Sequence, residues 1–179
     1  MLTQILLPAN YNYTTVTSLI PITAADNVNA VSDTDGTQTI TYSSISKVYR
    51  TMPTSWTSWG PTPYTEGDGD GLRLIYINGF SINITLTIPM AIFGLEAQPD
   101  VFGFLNITIQ VFNGATSLGS FTRNINGSAQ ARLLAVSSDV NFNKVKISCS
   151  DSFGIARFRY GATAVTPVVS TSDTLFYGA

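Results

Sequence analysis

From Thr37 onward, apolar residues recur at every second position. Ile82, Ile84, Leu86 and Ile88 form one such run, and Leu105, Ile107, Ile109 and Val111 another. A period of two is that of a strand with one buried face. The opposite face of the second run carries Phe104, Asn106, Thr108, Gln110 and Phe112, polar in the middle and aromatic at its ends. Both apolar runs, with Val145 and Ile147, are expected on the inner face of a sheet.

Turn chemistry divides the chain into further strands. Asn113-Gly114 between two alternating runs is a hairpin signal, and Asn126-Gly127 marks the next reversal. Ala131–Val136, Lys144–Cys149 and Ile155–Tyr160 read as strands, with 137–143 as a connection. Thr37–Tyr42 and Ser46–Met52 are earlier candidates. Pro53–Gly71 holds three of the eight prolines and reads as a long loop. Met90–Ala97 admits at most one short helical turn. The pattern predicts an all-β fold, an antiparallel β-sandwich of jelly-roll type with about eight strands. Residues 21–161 would form the sandwich, 1–20 an N-terminal arm and 162–179 a C-terminal arm. Both arms carry apolar residues that favour burial.

Composition narrows the function classes. Only 11% of the 179 residues are charged and the net charge is −2. Nine Lys and Arg spread along the chain make no basic stripe, which argues against nucleic-acid binding. Cys149 has no second cysteine to pair with and reads as a small core residue or a surface thiol. Met1–Asn10 has no basic start and too short an apolar run for a secretory signal. No stretch approaches the roughly 18 apolar residues of a membrane span.

The order of segments from Phe93 to Gly161 includes "LGSFT", "LLAVSSD", "KVKIS" and the closing "FGIARFRYG". It resembles the jelly-roll domains of exported bacterial proteins of the choice-of-anchor and PEP-CTERM kind, and of some phage virion proteins. The resemblance covers about two fifths of the chain and concerns fold rather than activity. Members of that family usually carry Asp directly after Phe-Gly-Ile, a position often used near a bound calcium. This chain has Ala156 there, so that ligand is not carried over.

The absence of histidine excludes imidazole bases, His-ligated zinc and Ser-His-Asp or Cys-His devices. A carboxylate pair of glycosidase type remains, with Glu66, Glu96 and Asp100 as its candidates, all read as loop residues. The chain is expected not to be an enzyme. Asp26, Asp33 and Asp35 form one acidic loop, and Glu66, Asp68 and Asp70 a second. Asp33, Asp35, Glu66, Asp68 and Asp70 are candidate calcium ligands, since calcium collects six to eight oxygens from such loops. The alternative is that Asp and Gly are ordinary turn residues. Trp56, Trp59 and Tyr64 fall in one loop and would stack on sugar rings or anchor a protein, unless they cap the core. Val168, Val169, Leu175, Phe176 and Tyr177 would give the C-terminal arm an apolar contact with a neighbour. Arg157 and Arg159 read as an ordinary outward strand face.

These features point first to a non-catalytic subunit of an extracellular assembly, most concretely a phage virion surface or capsid-decoration protein that associates with itself or with capsid subunits. A carbohydrate-binding module or lectin braced by calcium is the main alternative. A filament or spore-appendage subunit completed by strand addition is another.

Overall fold

The computed structural model describes residues 1–10, 13–50, 56, 58–59, 72–128 and 131–165. Its elements are β1 (Leu2–Ile5), α1 (Tyr13–Val16), β2 (Ser18–Ile20), β3 (Asn29–Thr34), β4 (Thr39–Arg50), β5 (Arg73–Ile77), β6 (Ser81–Pro99), β7 (Phe104–Asn113), β8 (Thr116–Asn126), β9 (Arg132–Ser148) and β10 (Phe153–Gly161). Among the described residues every pairing is antiparallel. The strand order is β2-β10-β5-β4-β6-β9-β7-β8, with β1 added to β9, β3 to β4, and a further β10–β6 pairing.

Three long strands fold this ladder into a sandwich. The first half of β6 pairs Ile40–Tyr42 of β4 and Lys144–Ser148 of β9, while its second half pairs β10 and residues 132–137 of β9. Register breaks between Thr85 and Met90, and between Met90 and Ile92, mark the corner. A strand that changes sheets through a bulge is how such corners are made. One core cluster then holds Ile40, Ile84, Ile109 and Ile147 from the first layer with Phe93, Leu95, Val136, Ile155 and Phe158 from the second. Tyr42 of the first layer lies against Phe158 of the second with ring centroids 5.9 Å apart. The antiparallel sandwich expected from the alternation is therefore the fold.

Several local expectations are corrected. Met90–Ala97 is strand, not helix, and 137–143 is a bend inside β9 rather than a link between two strands. Likewise the described strand residues of the candidates Thr37–Tyr42 and Ser46–Met52 belong to one strand, β4 (Thr39–Arg50); residues 51 and 52 lie outside the described residues. Ile82, Ile84, Leu86, Ile107, Ile109, Val111, Val145 and Ile147 are buried and Leu105 is partly so, but Ile88 is 42% exposed. It sits at the corner, where the buried Gln38 takes a strand's place: Gln38 Nε2 donates to the Ile88 carbonyl at 2.7 Å, and the Ile88 N–H donates to Gln38 Oε1 at 3.0 Å. Asn113-Gly114 does form the β7–β8 hairpin, with Gly114 at φ 60°. Asn126-Gly127 instead starts a crossover, because β9 joins β6 and β7 and not β8.

The second layer is covered on its outer face as well. Residues 1–20 supply β1 and β2 to the sheet, and Ile5 and Tyr13 are buried with Ile92, Leu133 and Ala135. Val165 packs on this cluster, and its N–H donates to Ser137 Oγ at 2.9 Å. Cys149 is buried, and burial raises its thiol pKa. Among the described residues, no helix is long and apolar enough to cross a membrane.

Candidate functional site

Alternation along the second half of β6 sends Phe93, Leu95 and Ala97 into the core and leaves Gly94, Glu96 and Gln98 on the outer face. Glu96 and Gln98 are nevertheless fully buried, because two indoles lie over them. Trp59 Nε1 donates to Glu96 Oε2 at 3.1 Å, and Trp56 Nε1 donates to Gln98 Oε1 at 2.6 Å. Gln98 Nε2 donates in turn to the carbonyls of Ser58 and Gly127. One strand thus pins both tryptophans with two side chains two positions apart. Glu96 is not the loop carboxylate expected from the sequence; its charge is met inside the protein by Trp59 and by Arg157, whose Nε lies 3.7 Å from Glu96 Oε1.

Arg157 reaches Glu96 because β10 bulges there. The register shifts between Ala156 and Arg159, and Arg157 takes φ 54°. The bulge breaks the simple alternation from which both arginines were expected to face outward. Arg159 Nη1 donates to the carbonyls of Thr14 and Thr17 and so ties down the N-terminal segment. Ala156, where the resembling family carries Asp, is buried with Trp59, Leu74 and Ala131. Gly154 lies under both indoles: a Cβ added there would stand 3.2 Å from Trp59 Cζ3 and 3.3 Å from Trp56 Cη2.

The two tryptophans, paired in the sequence reading, have different exposures. Trp59 is fully buried and caps the second layer. Trp56 is half-buried and begins a row of rings: it meets Tyr76 at 6.1 Å and 58°, and Tyr76 meets Tyr49 edge-on at 5.4 Å and 89°. Trp56, Tyr76 and Tyr49 wall a hollow of about 260 Å³ together with Asp100. Trp56 also lines a second hollow of about 190 Å³, with Ser58, Pro99, Asp100, Val101, Phe102 and Gly127. Phe102 is 96% exposed at its rim. At the Tyr76 hydroxyl, a hydrogen bond with Ser152 lowers the pKa, but burial, the hydrogen bond and charge of Asp100, and Tyr49 outweigh it and leave the phenol raised. Asp100 and Tyr76 therefore act as one polar pair beside the rings.

The sequence reading missed Tyr49, Tyr76 and Gln98. Alternation within β4 and β5 could have placed the two tyrosines on the outer face, but only the pairing of Tyr76 with Lys47 and of Tyr49 with Leu74 brings the rings together.

The acidic residues of the first loop do not form a centre. Asp33 is buried, accepts from Thr23 N at 3.0 Å and from the Tyr42 hydroxyl at 2.7 Å, and serves the core. Asp35 accepts from the N–H groups of Thr37 and Gln38 and from the Tyr160 hydroxyl. Asp26 pairs with Arg73 at 3.3 Å. Among the described residues, no three Asp, Glu, Cys or His side chains converge as a metal site would require. Tyr64, Glu66, Asp68, Asp70, Val168, Val169, Leu175, Phe176 and Tyr177 lie outside the described residues.

No protein-family model matches the chain, and no curated protein matches it. Among solved structures it is similar to a mutant of the family 29 carbohydrate-binding module CBM29-2 complexed with mannohexaose. The identity is 14% over 80% of this chain and 89% of that one, with a TM-score of 0.42. It is also similar to the enzymatically active domain of tailspike protein 4 from bacteriophage CBA120, with 15% identity, 70% of this chain, 19% of that one and a TM-score of 0.33. A family two carbohydrate esterase from Cellvibrio japonicus shares 7% identity over 93% of this chain and 35% of that one, with a TM-score of 0.30. Likenesses this remote leave the function to the chain's own geometry.

Proposed function

We propose that this protein is a non-catalytic glycan-binding β-sandwich whose binding surface is the row Trp56, Tyr76 and Tyr49 with Asp100. The observation that carries the reading is the half-buried indole of Trp56, held in one orientation by the fully buried Gln98 and lining two hollows that share Asp100. A pyranose ring presents a face of C–H bonds, weakly positive, that packs on the negative face of an aromatic ring. Its hydroxyls then need acceptors and donors at the rim, which Asp100, Ser58 and the Tyr76 hydroxyl supply. Fixing the rings before binding limits the entropy cost of association.

The test is titration calorimetry with soluble polysaccharides, comparing the protein with Trp56→Ala. The expected result is saturable binding that falls at least tenfold in the variant while the melting transition stays cooperative. Equal binding by the variant would refute the platform.

A second reading, a subunit of a phage virion surface or other extracellular assembly, is favoured by a different observation. Phe80, Ile45 and Phe104 are 71%, 66% and 66% exposed, apolar groups that a neighbouring subunit would cover. Native mass spectrometry tests it: a discrete oligomer supports it, and a monomer at high concentration counts against self-assembly.

A further inference from the structure

We infer that the ligand is an extended, uncharged glycan chain that runs over several subsites, not a single sugar or a chain end; this rests on the reading of Trp56 as a glycan platform. A third hollow adjoins the two beside Trp56. It has a volume of about 580 Å³ and is walled by the same Tyr49 and Tyr76 that close the middle hollow. Trp56 and Asp100 are common to the first and second hollows, Tyr49 and Tyr76 to the second and third. Shared walls make the three a series, with an aromatic residue at each junction.

The lining changes along the series in a way that suits a polyhydroxyl chain. Around the third hollow stand Asn29, Ser44, Lys47 and Asn78, whose amides, hydroxyl and ammonium can pair with sugar hydroxyls. Among the described lining residues the only charges are Asp100, where the first and second hollows meet, and Lys47 in the third, one of each sign. Such a groove offers no cluster of cations for a polyanionic glycan. The rings are also turned from one another by 58° and 89°, so their faces cannot all lie on one flat surface. A single twisted chain in solution can follow them, whereas the planar face of a crystalline polysaccharide cannot.

The experiment measures the affinity of the full chain for cello-, manno- and xylo-oligosaccharides from dimer to hexamer, and repeats it with Lys47→Ala/Asn78→Ala and with Trp56→Ala. For the oligosaccharide series that binds, the hexamer is expected at least tenfold tighter than the dimer. The Lys47→Ala/Asn78→Ala variant should lose most of that gain, and Trp56→Ala should weaken every length. Dimer and hexamer of equal affinity, both lost in Trp56→Ala, would overturn the extended groove and leave the platform standing. A full length-dependent gain in Lys47→Ala/Asn78→Ala would remove the third hollow from the path. If no oligosaccharide of any length binds, the platform reading fails and the groove with it.

Discussion

The Trp56 indole N–H donates to the amide oxygen of Gln98 at 2.6 Å across 42 positions of sequence. The same amide gives its own N–H groups to two carbonyls, Ser58 and Gly127, so one buried side chain holds the tryptophan segment and the start of the β8–β9 crossover against β6. Gln98→Leu should leave these groups without partners at a cost of about 1–3 kcal/mol. Urea unfolding measures the loss, and acrylamide quenching should show the indole emission more accessible. Unchanged stability would mean that Trp56 is held by packing alone.

Trp56 and Trp59 should separate by mutation. Trp59 is fully buried, and truncating a buried Trp to Ala costs about 3–5 kcal/mol. Trp56→Ala should cost clearly less, because its ring is only partly buried and its chief effect is on binding. Equilibrium unfolding of the two variants decides it: equal losses would make both tryptophans core caps.

Gly127 has no room for a side chain. A Cβ there would overlap the Val101 carbonyl oxygen and stand 2.7 Å from that of Pro99, both backbone atoms that cannot step aside. Gly127→Ala should destabilise by about 1–3 kcal/mol, as overpacking does, while Gly79→Ala, which meets nothing within 4 Å, serves as the control. Thermal melts that coincide for the two variants would contradict this packing.

Asp35 and Tyr160 predict how stability changes with pH. Burial pushes the Asp35 carboxyl up, but the Gln38 N–H, the Tyr160 hydroxyl and the Thr37 N–H outweigh it and hold the pKa below the usual 3.8. A depressed folded pKa gives stability that is present above the unfolded value and is lost as pH falls below it. Tyr160 is shifted the other way: burial first, then the hydrogen bond and charge of Asp35, raise its phenol above 10.0. Its contribution is intact below pH 10 and disappears as pH rises further. Melting temperatures of Asp35→Asn should therefore fall less steeply than wild type between about pH 4 and pH 2. Parallel curves would show that the Asp35 contacts have no thermodynamic weight.

The local alternation of Ile82, Ile84 and Leu86, of Ile107, Ile109 and Val111, and of Val145 and Ile147 was enough to determine a half-buried antiparallel sheet, because side chains on a strand must alternate between faces. The absence of histidine, and the hairpin at Asn113-Gly114, were equally legible. Tertiary structure decided whatever depends on partners distant in sequence. Ile88 keeps the alternating pattern yet is exposed, because a strand crossing between layers gives up its neighbour at the corner. Glu96 and Asp33 read as loop acids, but their burial depends on Trp59 and Tyr42, brought to them by packing. Arg157 departs from alternation because a bulge in β10 turns it toward Glu96. Tyr49, Tyr76 and Trp56 share no local motif; they become one surface only because β4 pairs with β5 and Gln98 of β6 holds the indole beside them.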